Sequence, residues 1–258
     1  MTSVIKSWSG RTGNNIIQLI NCIHYSFYIH KYNKIIFPKH ILFKTNNIVS
    51  GEEVKEIKKK FADPNNFFYA KKLGFTISPK QMREISQKYI VPIVNLKLSK
   101  ETEEVMIHLR GGDMMKSHPF FIQPPWKYYQ LIIDSDNFTK INVVHEDQNN
   151  FCLNKFKELN NTTTQSKDII SDIERLCQGK KLVMSFSTFS LMIFFLSKNL
   201  EEIYLPKYMI EEWYPNLGWG MKTNIIELKN YNLNLWKNKN LEERNKFLIE
   251  YSGDVNFS

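Results

Sequence analysis

The sequence predicts an α/β protein built on parallel sheets, and three observations carry that prediction. Through most of the second half, short apolar runs of strand length alternate with longer segments of helical period, the order a doubly wound parallel sheet requires. Near the N-terminus a strand candidate, a glycine-containing loop, a helix pattern and a second strand candidate follow one another as in a βαβ unit. Polar residues collect at the carboxyl ends of the strand-like runs, where open α/β sheets bind ligands.

The first unit opens with a strand over residues 4–8, leading into Ser9-Gly10-Arg11-Thr12-Gly13-Asn14-Asn15. Ile16, Leu19, Ile20, Ile23 and Phe27 then recur at helical spacing, with Asn14 or Asn15 as the expected cap. Residues 34–37 form the next strand, closed by Pro38. The loop lacks the Gly-Lys-Ser/Thr of a Walker motif and the three-glycine dinucleotide spacing, so alone it reads first as a turn and cap. Residues 52–61 and 81–90 have helical pattern, Lys58, Lys59 and Lys60 form a solvated face, and Phe67, Phe68 and Tyr69 are a short strand or packing residues. The polar residues 99–104 place a domain boundary, giving domains 1–100 and 101–235 and a helical tail over 236–258.

In the second domain the strands fall at residues 105–109, 140–145, 181–184 and 203–205. The intervening helices cover 126–133, 149–159, 168–177 and 187–196. The strand ends carry His108, Arg110, His145 and Ser185. Val105-Met106-Ile107-His108-Leu109 runs into Arg110-Gly111-Gly112-Asp113, a guanidinium among glycines. Glycine lets a polyanion approach the backbone, and the planar arginine fork matches phosphate oxygens. A tight turn with an Arg110–Asp113 salt bridge explains the same residues equally well. Ser185-Phe186-Ser187-Thr188-Phe189-Ser190 closes a strand and opens a helix, which suits phosphate binding or ordinary N-capping.

With 258 residues the chain has room for one large domain or two of roughly 100–150 residues. At 42% hydrophobic and 14% aromatic it builds a packed core, which excludes wholesale disorder. A net charge of +9 points to an acidic partner such as nucleic acid, an anionic membrane surface or a phosphorylated ligand. Much of that charge is lysine mixed with Asn and Ile, a bias that nucleotide composition alone can produce, so it carries little weight. Cys22, Cys152 and Cys177 are widely spaced and odd in number, which fits a reducing compartment and shows no metal-ligand pair. No apolar run reaches the roughly 18 residues of a membrane span, and residues 1–10 lack a signal-peptide core, so the expected location is cytoplasmic.

Three segments together resemble the fucosyltransferase superfamily with the GT-B fold, which includes α-1,2-, core α-1,6- and protein O-fucosyltransferases. Gly10-Arg11-Thr12-Gly13-Asn14-Asn15 with Gln18 resembles the N-terminal Gly-Arg-x-Gly-Asn-Gln loop, and His108-Leu109-Arg110-Gly111-Gly112-Asp113 resembles His-x-Arg-Arg-x-Asp. Ser187-Thr188-Phe189-Ser190 is similar to the Ser-Ser-Phe-Ser of a third motif, and the three stand in family order over about residues 8–206. The resemblance implies two Rossmann-like domains facing a donor cleft, the first on the acceptor side and the second binding the nucleotide sugar. It implies an inverting, metal-independent transfer of a sugar, foremost L-fucose from GDP-fucose, to a hydroxyl of a soluble or lipid-linked glycan. No cofactor and no nucleic acid are expected, the source is microbial or viral, and a peripheral membrane contact is compatible with the charge.

By the same resemblance Arg110 grips the donor β-phosphate, and Ser187, Thr188 and Phe189 complete the pocket. Arg11, Gly13 and Asn14 face the donor from the first domain, His108 and Asp113 shape the arginine loop, and Asp168 or Asp172 helps hold the base. His118 is the candidate general base, because an imidazole titrates near neutrality. Gly111 stands where many members have a second arginine, Phe186 replaces an Asn, and Leu191-Met192 replace a tryptophan pair. A related enzyme using another nucleotide sugar, and a non-catalytic nucleotide- or polyanion-binding protein, are therefore the alternatives. Tyr204, Trp213, Tyr214, Trp219 and Trp236 are either sugar platforms or core packing.

Overall fold

The structure is a computed structural model, and it describes residues 2–51, 70, 74–98, 101–116, 118, 122–136, 138–215 and 217–258. The expected helix over 52–61, the lysine face at 58–60 and the aromatic run at 67–69 lie outside the described residues. The chain divides into two compact units, Met1–Lys97 with Leu191–Leu196, and Leu98–Ser190 with Ser197–Ser258.

In the first unit β1 (Thr2–Val4) pairs in parallel with β2 (Lys34–Ile36), and β3 (Asn47–Val49) pairs antiparallel to β2. The βαβ expectation therefore holds, with the first strand earlier than residues 4–8. Helix α1 (Thr12–Ile23) joins them and continues as a π-helical turn, His24–Ile29. Its buried Ile16, Ile17, Leu19, Ile20 and Ile23 supply the core of this unit. Neither Asn14 nor Asn15 caps α1: the N-cap is Arg11, without a side-chain hydrogen bond, and both asparagines lie inside the helix. Asn15 instead donates to Ser9 O (3.0 Å), while Gln18 accepts from Ser9 N (3.0 Å) and donates to Ser7 O (3.3 Å). These side chains lace the preceding loop onto the helix. Gly10 has φ +70°, and a Cβ there would lie 2.2 Å from the Asn14 amide nitrogen, so the turn requires glycine.

Helix α2 (Pro79–Ile85) begins with a capping box between Ser78 and Gln81 and also runs on as a π-helical turn. Arg83 Nε donates to Phe194 O (3.1 Å) and Gln87 Nε2 to Phe195 O (2.8 Å). These bonds satisfy carbonyls in the last turn of an apolar helix that has no polar face of its own.

The second unit is a seven-stranded sheet. Its strands are β4 (Thr102–Leu109), β5 (Ile141–His145), β6 (Thr162–Gln165), β7 (Gly179–Val183), β8 (Glu202–Pro206), β9 (Lys222–Leu228) and β10 (Val255–Phe257). The spatial order is β10-β9-β8-β7-β4-β5-β6, parallel except for the β10 edge. From β6 to β9 this is the doubly wound dinucleotide-fold order, with β4 first and the reversal of direction between β4 and β7. Val105, Met106, Ile107, Leu109, Leu182 and Val183 are buried, as strands covered on both faces must be.

The helices of this unit are α3 (Asp113–Lys116), α4 (Trp126–Asp136), α5 (Cys152–Lys157), α6 (Ile169–Leu176), α7 (Thr188–Leu196), α8 (Lys207–Trp213) and α9 (Leu241–Glu250). The last six residues of α7 pack with the first unit. Residues 236–258, expected as a helical tail, hold α9 and also strand β10, which extends the sheet. Tyr204, Trp219 and Trp236 are buried and belong to packing.

Candidate functional site

The sheet register brings the carboxyl ends of three strands side by side. Leu109 of β4 pairs with His145 of β5, and Ile107 pairs with Val183 of β7. Arg110, Glu146 and Ser185 therefore leave the sheet as neighbours at the reversal point, the position where this fold leaves a crevice. Arg110 is 6% exposed. Its Nη1 donates to Glu146 Oε2 and its Nη2 to Asp113 Oδ1, a charge-assisted grip on both sides of the fork. The Asp113 carboxylate is 52% exposed and that of Glu146 32%, so the pair leads from the buried guanidinium toward solvent. The Arg110–Asp113 salt bridge of the turn reading is therefore present, with Glu146 as a second partner.

The loop around Arg110 is fixed from the β5 side. Asn150 Nδ2 donates to Arg110 O (3.0 Å), and the Gly112 N–H donates to Asp147 Oδ2 (3.0 Å). Asp147 also accepts from the Asn149 N–H (2.8 Å) and from the Asn149 amide group. His145 Nδ1 donates to Asp147 O (3.0 Å), and burial holds the His145 pKa below the ordinary histidine value against the opposing pull of that carbonyl. Gly112 adopts φ +61°. A Cβ at Gly111 would lie 2.3 Å from Asp147 Oδ1, so a side chain there requires the Asp147 carboxylate to shift.

On the β7 side, His108 Nδ1 lies 2.7 Å from both Ser185 Oγ and Ser190 Oγ, which are 3.2 Å apart, and all three residues are buried. The imidazole packs on Phe189 with ring centres 4.9 Å apart. This cluster joins the end of β4, the end of β7 and the first turn of α7. Ser187 Oγ accepts from the Phe189 N–H (3.1 Å), the geometry of a helix cap, with Thr188 half-buried beside it. Phe186 is a core residue, its ring 4.5 Å from Trp213 and 5.5 Å from Tyr208.

The remaining candidates occupy definite places. His118 follows α3, its N–H donating to Asp113 O (3.1 Å). Burial lowers its pKa, Asp113 opposes that shift and Arg244 adds to it. Asp168 caps α6, accepting from the Ile170 N–H (3.0 Å), the Ser171 N–H (3.1 Å) and Ser171 Oγ (2.5 Å). Hydrogen bonds to Ser171 hold its pKa below the usual carboxylate value. Asp172 is buried and accepts from Gln165 Nε2 (2.8 Å) and the Lys167 N–H (3.2 Å). Ser166 Oγ donates to Glu146 O (3.2 Å), tying the loop before α6 to the strand end beside Arg110. In the first unit, Arg11 is exposed, Gly13 is buried and Asn14 is half-buried, all at the start of α1.

The structure thus brings Arg110 directly to Asp113, and His108 to Phe189. Glu146, Asp147 and Asn150 received no role from the sequence, although they follow β5. The signal was available: once β4 and β5 are neighbours in register, the residue after His145 must lie beside the residue after Leu109. Among the described residues no group of three or more His, Cys, Asp or Glu side chains is arranged to hold a metal ion, and no helix is long and apolar enough to cross a membrane.

A family model described as Glycosyl transferase family 11 matches residues 16–213, a stretch that includes both the Arg110 loop and the start of α7. No individually curated protein matches the chain.

Proposed function

Because the chain belongs to glycosyl transferase family 11, and is therefore a glycosyltransferase of the fucosyltransferase type, we propose that it moves L-fucose from GDP-fucose to a glycan hydroxyl, with inversion and without a metal ion. The observation that supports this reading best is a buried arginine fork at the sheet reversal, flanked by the Ser187–Phe189 helix start.

In the proposed reaction the acceptor oxygen attacks the anomeric carbon from the face opposite the diphosphate. The new C–O bond forms as the bond to the β-phosphate oxygen breaks, and the electron pair leaves with GDP. Arg110 stabilises the charge that develops there, and a fixed cation does this most effectively where water is excluded. The diphosphate has to replace one of the two carboxylates now on the fork. Asp113, the more exposed of the two, is the one that turns outward. The acceptor proton goes to His118, whose depressed pKa keeps the imidazole neutral and receptive at pH 7.

The Gly111–Asp147 contact favours a second reading, a donor other than GDP-fucose, because the arginine of the family motif has no counterpart at Gly111. Thermal-shift measurements with GDP and UDP, followed by transfer assays with their sugars in EDTA, discriminate between the readings. Stabilisation by GDP and EDTA-resistant fucose transfer support the first. Stabilisation by UDP alone supports the second, and no response to any nucleotide overturns both.

A further inference from the structure

The family match ends at residue 213, yet the chain beyond it reaches back to the Arg110 site. Helix α9 buries two adjacent polar residues, Arg244 (3% exposed) and Asn245 (0%), on the face it shares with Leu248. Packing alone would be served by apolar side chains there, and burying polar groups is unfavourable unless they are hydrogen-bonded.

Both are bonded to the segments that supply partners of Arg110. Asn245 Nδ2 donates to Asn149 O (2.8 Å), and its Oδ1 accepts from the Phe151 N–H (2.9 Å). The amide therefore spans Asn150, the residue that donates to Arg110 O. Arg244 Nη1 donates to Met114 O (3.0 Å) and Met115 O (3.2 Å), directly after Asp113, and its guanidinium lies over the Trp236 ring (5.1 Å). Trp236 Nε1 donates to Met114 O as well (3.1 Å). Among the described residues Arg244 has no carboxylate partner, so carbonyl oxygens are what its charge serves. One short stretch, residues 236–245, thus fixes helix α3, which supplies Asp113, and the loop that supplies Glu146.

We infer that Arg244, Asn245 and Trp236 are positioning residues for the donor site: the C-terminal segment sets the separation of the two carboxylates that aim the Arg110 fork. This rests on the reading that Arg110 holds the donor diphosphate. A clasp of this kind acts on donor binding through geometry and touches neither donor nor acceptor.

The test compares Asn245→Ala, Trp236→Phe, Leu248→Ala and Arg110→Ala in the full chain, measuring Tm, GDP affinity by calorimetry, and KM for donor and acceptor separately. Asn245→Ala and Trp236→Phe are expected to weaken GDP binding and raise donor KM about tenfold, the effect of losing one buried hydrogen-bonded anchor, with acceptor KM unchanged. Leu248→Ala removes packing from the same helix and is expected to lower Tm while leaving donor KM at the wild-type value. Wild-type donor KM in both anchor variants overturns the inference, as does a rise in Leu248→Ala that scales with its loss of Tm. If Asn245→Ala fails to fold, Trp236→Phe, which keeps an aromatic ring and removes one hydrogen bond, decides alone. GDP binding that survives in Arg110→Ala overturns the donor reading itself, and this inference with it.

Discussion

A single buried guanidinium with two carboxylate partners is the residue on which the proposed reaction turns. Replacing Arg110 by alanine is expected to lower kcat/KM by about 10²–10³, the usual effect of deleting one electrostatic stabiliser of a departing group. Arg110→Lys keeps the charge but loses the fork and is expected to recover only part of the activity. Asp113→Asn makes a sharper demand, since a diphosphate that displaces this carboxylate meets less competition from a neutral amide. Calorimetry is expected to show tighter GDP binding in that variant, and weaker binding would mean that Asp113 orients the fork instead of yielding it. For His118, burial sets the direction of the pH dependence: the acid limb of kcat belongs below the ordinary histidine value of 6.5. A limb that persists unchanged in His118→Ala would assign the proton to another group. His108 stood out because a polar residue inside an apolar strand is conspicuous in one dimension, and Arg110 and Ser185 because they follow the ends of apolar runs. Glu146, Asp147 and Asn150 were not, because their meaning comes from a partner strand more than thirty residues away.

Among the elements, those with apolar runs or strong apolar periodicity were read most readily. Buried β4, β5, β7 and β8 carry their own signal. Strand β6 is Thr-Thr-Thr-Gln at the sheet edge, with no apolar residue to announce it, and β10 is a three-residue edge. Helix α1 was anticipated, but its cap was not: Asn15 and Gln18 spend their amides on the loop at Ser7 and Ser9, an alternative open to any polar side chain near a helix start. Helix α9 is a useful test element, because Asn240 accepts from the Glu243 N–H (3.0 Å) and Glu243 accepts from the Asn240 N–H (2.7 Å). Asn240→Ala is expected to lower stability to urea by about 1 kcal/mol, the usual worth of an N-cap. No change in the unfolding midpoint would show that tertiary bonds alone hold α9 in place.

For the molecule as a whole, ionisation works in one direction on acidification. Burial lowers the pKa of His24, His40, His118 and His145, so the unfolded chain takes up protons that the folded one resists. Their contribution is fully present above the unfolded value of about 6.5 and is lost as the pH falls through the lower folded values. Glu104 and Glu202 add a later stage. Burial alone would raise them, but Lys140 and Arg175 on one, and Lys222 and Asn224 on the other, hold both below the usual 4.5. The expected Tm is flat between about pH 7 and pH 8, declines below about pH 6.5 and falls further below about pH 4.5. Scanning calorimetry across that range checks the order of the two stages, and a Tm that rises between pH 7 and pH 5.5 would contradict the histidine assignment. The parallel order of the large sheet was legible from the alternation of elements. The grouping of Leu191–Leu196 with the first unit was not, because a helix apolar on every side does not say which core it enters.

The close approach of Gly111 to Asp147 couples two positions that are distant in the sequence. A lone Gly111→Arg change pushes aside a carboxylate that already holds the Gly112 N–H. Asp147 changed alone releases the loop with no compensating arginine. Positions 111 and 147 are therefore expected to tolerate change together better than singly, which a double-mutant cycle read by Tm checks.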